Sequence, residues 1–227
     1  MEQNLFSGIS DEAFAFSDLR EDFVYNRIPR DRRQYYIAEG LRIGAETARK
    51  YRGRDIRELL CNDGVAIRTI DTPSPSGMHA QIYYDGGERR IEIFTETAKR
   101  FADALADVPI PLSQEQAQEI FLAHEFYHWL EYSKGRGTEM LCAPVERKLL
   151  GLIPQRLRVH RVSEIAAFQF CKEYCGLPVH PKAVDYLLLY QADGADHEAI
   201  RSAFLTLEQG YRRECEITNG QEENRNA

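Results

Sequence analysis

The stretch His124-Glu125-Phe126-Tyr127-His128 limits what this chain can fold into more than any other feature. Two histidines four residues apart on a helix stand about 40° from each other around its axis, so both imidazoles can converge on one point. Glu125 follows the first histidine, placed to hold a water against whatever the imidazoles bind. Apolar side chains enclose these three polar residues, among them Ile120, Phe121, Leu122, Ala123, Phe126, Trp129 and Leu130. The segment therefore predicts one buried helix. Leaving two imidazoles and a carboxylate unpartnered inside it would cost about 1–3 kcal/mol for each neutral group and more for the charge. A metal ion with its water supplies those partners, and this reading is favoured over two histidines satisfied within an ordinary core.

A catalytic zinc takes three protein ligands and keeps one position open. Glu164 is the expected third ligand. It lies in Val162-Ser163-Glu164-Ile165-Ala166-Ala167-Phe168, where the small apolar residues after it predict a second helix packed closely on the first. Glu131 and Glu139 are weaker ligand candidates, Glu131 because it sits nearly a turn beyond His128. The metzincin spacing is excluded, since Glu131 and Lys134 occupy the positions where it needs glycine and histidine. His160, one turn before Glu164, would close the site if it bound the metal; off the metal, it is a hydrogen-bond candidate toward substrate or Glu164. Tyr132, Tyr174 and His160 are the candidates for an additional oxyanion donor. His79, His180 and His197 have no partners in sequence and are read as non-ligands, and Cys171 and Cys175 as small buried apolar residues.

The chemistry expected is hydrolysis by a metal-activated water with Glu125 as general base and His124, His128 and Glu164 as metal ligands. Two other readings use the same residues: a non-catalytic regulatory or interaction protein whose metal staples two helices, and a hydrolase of small amides or esters. A net charge of −7 on 227 residues argues against a nucleic-acid binder, which needs a basic surface, and directs the expectation to protein or peptide partners. The run Arg27, Arg30, Arg32, Arg33 is read as a solvated face. Five cysteines without a CxxC pair fit reduced thiols. No signal-peptide pattern and no run of about eighteen apolar residues is present, so the expectation is a cytoplasmic protein with no membrane partner.

Periodicity and turn residues predict an α+β fold, mostly helical, with a small three-stranded antiparallel sheet on the motif helix. Residues 1–30 form an arm that docks its aromatics, residues 31–213 a single zincin-like domain, and residues 214–227 a polar, frayed tail. Helices are expected over 32–51, where Gly40 and Gly44 would mark a close helix contact, over 55–61, and over 95–106. Strands are expected over 65–70, 79–84 and 89–94, the last two as a hairpin around Asp85-Gly86-Gly87. Ser113 and Gln116 form a capping box opening the motif helix. Beyond it, a short helix is expected over 145–150, then helices over 154–175, 181–190 and 196–212.

With these elements in place, the chain resembles the ImmA/IrrE family of small bacterial and phage zinc metallopeptidases. The matching residues are Ala123-His124-Glu125-Phe126-Tyr127-His128 and Ser163-Glu164-Ile165-Ala166-Ala167, within residues 32–176. The resemblance implies a cytoplasmic gluzincin-type zinc endopeptidase in which the sheet edge aligns an extended peptide. Known members act on regulators such as repressors. Tyr127 stands where many members carry glycine.

Overall fold

The computed structural model describes residues 5–74, 77–84, 87–105, 111–149 and 152–226. It is a mostly helical α+β fold. The helices are α1 (Asp11–Arg20), α2 (Arg30–Tyr51), α3 (Ile56–Asn62), α4 (Thr95–Ala104), α5 (Gln114–Ser133), α6 (Arg161–Cys175), α7 (Pro181–Ala192) and α8 (His197–Asn226). The strands are β1 (Val65–Ile70), β2 (Ala80–Tyr83), β3 (Arg89–Phe94), β4 (Val145–Leu149) and β5 (Ile153–Leu157). Side chains set several of the boundaries. The Asp55 carboxylate accepts from the first amides of α3, and Ser113 with Gln116 closes the capping box on α5. Pro181 opens α7, and Gly176, at φ 65°, ends α6 in the left-handed conformation that a Cβ would disfavour.

The motif helix α5 runs through the main core. Its contacts with α6 fall in opposite order along the two helices: Glu131 meets Ser163, Phe126 packs near Phe170, and the Cys171 thiol faces the Ile120 carbonyl. The pair is therefore antiparallel. On its far side α6 is supported by α2, and the two expected glycines are the reason the helices come so close. A Cβ on Gly40 would lie 2.6 Å from Ile165 Cγ2, and one on Gly44 would lie 2.3 Å from the Ala166 carbonyl oxygen. The arm is integral to the body: Phe6 and Phe14 join the main core, while Phe16 and Leu19 join a second cluster with Tyr36, Ile37 and Val162. Phe23 is the exception, 98% exposed.

Four expectations are corrected. The three-stranded sheet is mixed, in the order β1-β3-β2: β3 pairs antiparallel with β2 but parallel with β1. Side-chain alternation reports which face of a strand is buried and is blind to strand direction. The chain passes from β1 to the far edge at β2, and β3 then returns to fill the middle; the hairpin's Asp85 and Gly86 lie outside the described residues. Second, residues 145–149 form a strand, and 153–157 pair with them antiparallel, Val145 opposite Leu157 and Leu149 opposite Ile153. Pro154 faces Lys148 on this two-stranded ribbon, a position open to a residue without an N–H, so α6 starts only at Arg161. Third, α8 passes through residue 213 to Asn226, with no break where a frayed tail was expected. Fourth, Arg33 is buried, pairing with Glu214 at 2.6 Å and lying over the Tyr25 ring, so it ties α2 to α8 and is not part of a solvated face.

Gly44→Ala is expected to lower unfolding free energy by about 1–3 kcal/mol, because the methyl group meets backbone that cannot move without parting α2 from α6. Gly210→Ala, on α8 with nothing within 4 Å of the added Cβ, is expected to raise it by up to about 1 kcal/mol. Urea unfolding of both variants checks the pair.

Candidate metal centre

On α5, His124 and His128 turn toward α6, and Glu164 on the first turn of α6 turns back toward them. The donor atoms form a small triangle: His124 Nε2 to His128 Nε2 is 3.1 Å, His124 Nε2 to Glu164 Oε2 is 3.4 Å, and His128 Nε2 to Glu164 Oε1 is 3.6 Å. Ligands at 2.0–2.1 Å around a tetrahedral ion stand about 3.3 Å from one another, so three donors at this spacing fit a zinc-sized cation. They are the only group of three such residues brought together among the described residues. The expected third ligand, Glu164, is thus the residue that the fold delivers.

Glu131, weighed only as a distant ligand, has a different place. Its Oε2 receives the His128 Nδ1 hydrogen bond at 2.9 Å and the Ser163 hydroxyl at 2.7 Å, and its Oε1 accepts from the Thr138 amide at 2.7 Å. A proton held on Nδ1 leaves the Nε2 lone pair of His128 facing the triangle, the tautomer a metal requires. The i, i+3 spacing of His128 and Glu131 was the signal available in the sequence. Tyr127 packs its ring on Phe170, with its hydroxyl 2.6 Å from Thr138 Oγ1 in a buried contact, and is not part of the cavity wall.

The electrostatics favour a cation. Burial opposes a charge on His128, but the hydrogen bond to Glu131 and the carboxylates of Glu164 and Glu125 outweigh it and lift the imidazole pKa to about 9. Burial would raise the Glu164 carboxyl; contact with His124 and the nearby positive groups His128 and Arg161 instead hold it far below the usual carboxylate range. The carboxylates around the two imidazoles thus favour positive charge at this point, which a divalent ion held by the three donors would supply.

The triangle opens into a cavity of about 600 Å³ whose walls include His124, Glu125, Glu164, Phe121, Phe168 and Ala80. Glu125 is buried at its edge on α5. The three oxyanion candidates are elsewhere. His160 is exposed at the N-terminal end of α6, Tyr132 is 45% exposed and stacks on Tyr84, and the Tyr174 hydroxyl donates to the Arg54 carbonyl at 2.6 Å. His180 is buried against Phe14, where burial lowers its pKa to about 4, and His197 is exposed; neither joins the donor group. Cys171 is buried as expected, at the cavity wall, and burial pushes its thiol well above the ordinary range. His79, set aside as partnerless, receives a partner from the fold: Asp185, on α7.

Glu131→Gln keeps the shape of the side chain but weakens its hold on the His128 proton, so divalent-metal affinity is expected to fall about 10–100-fold. His128→Ala should abolish stoichiometric binding. Competition against a chromogenic chelator measures both. Compared with known proteins, the chain matches no family model, no curated protein and no solved structure.

Proposed function

We propose that this protein is a zinc-dependent metallopeptidase of ImmA/IrrE type, hydrolysing peptide bonds in a cytoplasmic regulatory protein. The observation that carries the reading is the donor triangle of two imidazoles and one carboxylate beside a buried glutamate, with His124, Glu164 and Glu125 lining one cavity. Two histidines and one carboxylate are a ligand set that suits zinc and leaves a fourth position for solvent or substrate. Bound there, the ion supplies an acidified water and polarisation of the scissile carbonyl. Glu125 accepts the water proton on its carboxylate and delivers it to the departing amine nitrogen. Glu131 holds the Nδ1 proton of His128, and Ser163 in turn holds Glu131.

A peptide substrate is favoured over a small amide by the surroundings of the site. β2 is an edge strand of its sheet, and Ala80 at its start lines the cavity. An extended peptide can add to that edge through main-chain hydrogen bonds, which brings its backbone alongside the donor triangle. No helix among the described residues is long and apolar enough to cross a membrane, which agrees with a substrate met in the same aqueous compartment.

Glu125→Gln is expected to keep one equivalent of zinc while peptide hydrolysis falls by about 10²–10⁴-fold, the usual contribution of a positioned general base. Metal analysis and cleavage of a quenched fluorescent peptide library test the two halves separately. Unchanged cellular or binding activity in that variant would make the protein a metal-stapled regulator.

A further inference from the structure

The cavity does not end at the donor triangle. Its wall continues along Phe121 and Phe101 to His79 and Asp185, and this polar pair also borders a second cavity of about 380 Å³ behind it. The His79 ring is stacked on Phe121, with centroids 4.4 Å apart and planes within 9°, one helical turn along α5 from His124 and Glu125. Its Nε2 meets Asp185 Oδ1 at 2.9 Å. The other Asp185 oxygen has no hydrogen-bond partner among the described residues, and the side chain is 27% exposed. The cations nearest the cavity are already engaged: Arg161 pairs with Glu21 at 2.7 Å, and Lys182 with Asp18 at 2.8 Å. Arg100 lines the second cavity but not the first, and forms no ion pair with Asp185 among the described residues.

This arrangement is an aromatic-walled channel with an under-used carboxylate at its far end. A wholly apolar occupant would pack on Phe101 and Phe121 but strand the free carboxylate oxygen away from water. A long aliphatic stem carrying a positive tip satisfies both parts, its methylenes on the rings and its N–H groups on Asp185. The net charge of −7 also draws cationic segments toward the molecule.

We propose that Asp185, oriented by His79, is the specificity determinant of the site, and that it selects peptides with a lysine or arginine side chain close to the scissile bond. The inference rests on the peptidase reading for its substrate, but the pocket can be tested apart from catalysis.

A short-peptide library carrying lysine, arginine, norleucine or glutamate at each position is offered to the wild-type protein for hydrolysis. The same library is offered to Glu125→Gln for equilibrium binding, with and without zinc. Lysine or arginine at one position should exceed norleucine, the neutral analogue of lysine, by about 10–100-fold in both assays, the span of a charge-assisted hydrogen bond. Asp185→Asn should erase that preference, bringing lysine and arginine peptides to the level of norleucine peptides within the same variant, and Asp185→Lys should transfer it to glutamate. Hydrolysis with norleucine equal to or better than lysine overturns the pocket assignment and leaves the peptidase reading standing. Asp185-dependent selection of lysine or arginine in binding without hydrolysis of any peptide keeps the pocket and removes the peptidase. Should Asp185→Asn not fold, the comparison of lysine with norleucine on the wild-type chain decides alone.

Discussion

The carboxylate of Glu131 joins the two helices at the point where the site is assembled. It takes one hydrogen bond from a histidine on its own helix, one from Ser163 on α6 and one from the amide of Thr138 in the segment that follows α5. A largely enclosed carboxylate with all three partners is stable; with one removed, it becomes an under-satisfied charge in a low-dielectric setting. Rotation of α5, sliding of α6 or displacement of the turn after α5 would each break one of these bonds. The same carboxylate also sets the tautomer of His128, so the packing of the helices and the chemistry of the donors depend on one group.

Close approach is the second requirement, and it is met from behind. Gly40 and Gly44 remove the methyl groups that would hold α2 away from α6, so Ile165 and the Ala166 carbonyl press against α2. With α6 seated, Val162 and Ile165 face the second core while Glu164 faces α5. The arm completes this support. The Asp22 carboxylate accepts from the backbone amide of Arg161, the first residue of α6, and Glu21 takes its guanidinium. An acidic residue at a helix start stabilises the orphan amides there, so the arm fixes the end of the helix that carries the third donor.

Charge and polarity are distributed unevenly around the cavity. The end near α5 and α6 concentrates carboxylates around two imidazoles and calls for a cation. The end near α7 holds a histidine and an aspartate between aromatic rings. Between them the walls are apolar. A site with these two polar ends can orient an extended ligand as well as hold it, because a ligand turned around would leave both ends unmatched.

Local patterns made much of this legible. The i, i+4 histidines, the capping box, the short α3 with its Asp55 cap and the β2–β3 hairpin each depend on residues a few positions apart, and the chain carries their chemistry openly. Gly40 and Gly44 could be read as a close contact because glycine in a helix has a cost that something must offset. Glu164 could be picked out because a glutamate among small apolar residues needs a reason. The errors came from patterns that have two solutions. Residues 145–157 hold both apolar periodicities, and the proline at 154 was decisive only once a ribbon edge existed to accommodate it. The parallel pairing of β1 with β3 was invisible because strand direction leaves no mark on alternation.

Local spacing alone required that two imidazoles face one point on a buried helix, since 3.6 residues per turn put residues four apart on one face. Which carboxylate meets them, which one orients them and what the far wall of the cavity offers were decided only by tertiary structure. Glu164, Glu131 and Asp185 are all acidic residues on or beside apolar helices, alike in their local setting. Only the packing of α5 against α6, and of α7 against α6 and α4, made one a donor in the triangle, one a hydrogen-bond acceptor behind it and one the acidic end of the cavity, because a carboxylate's role is set by what stands within about 3 Å of its oxygens.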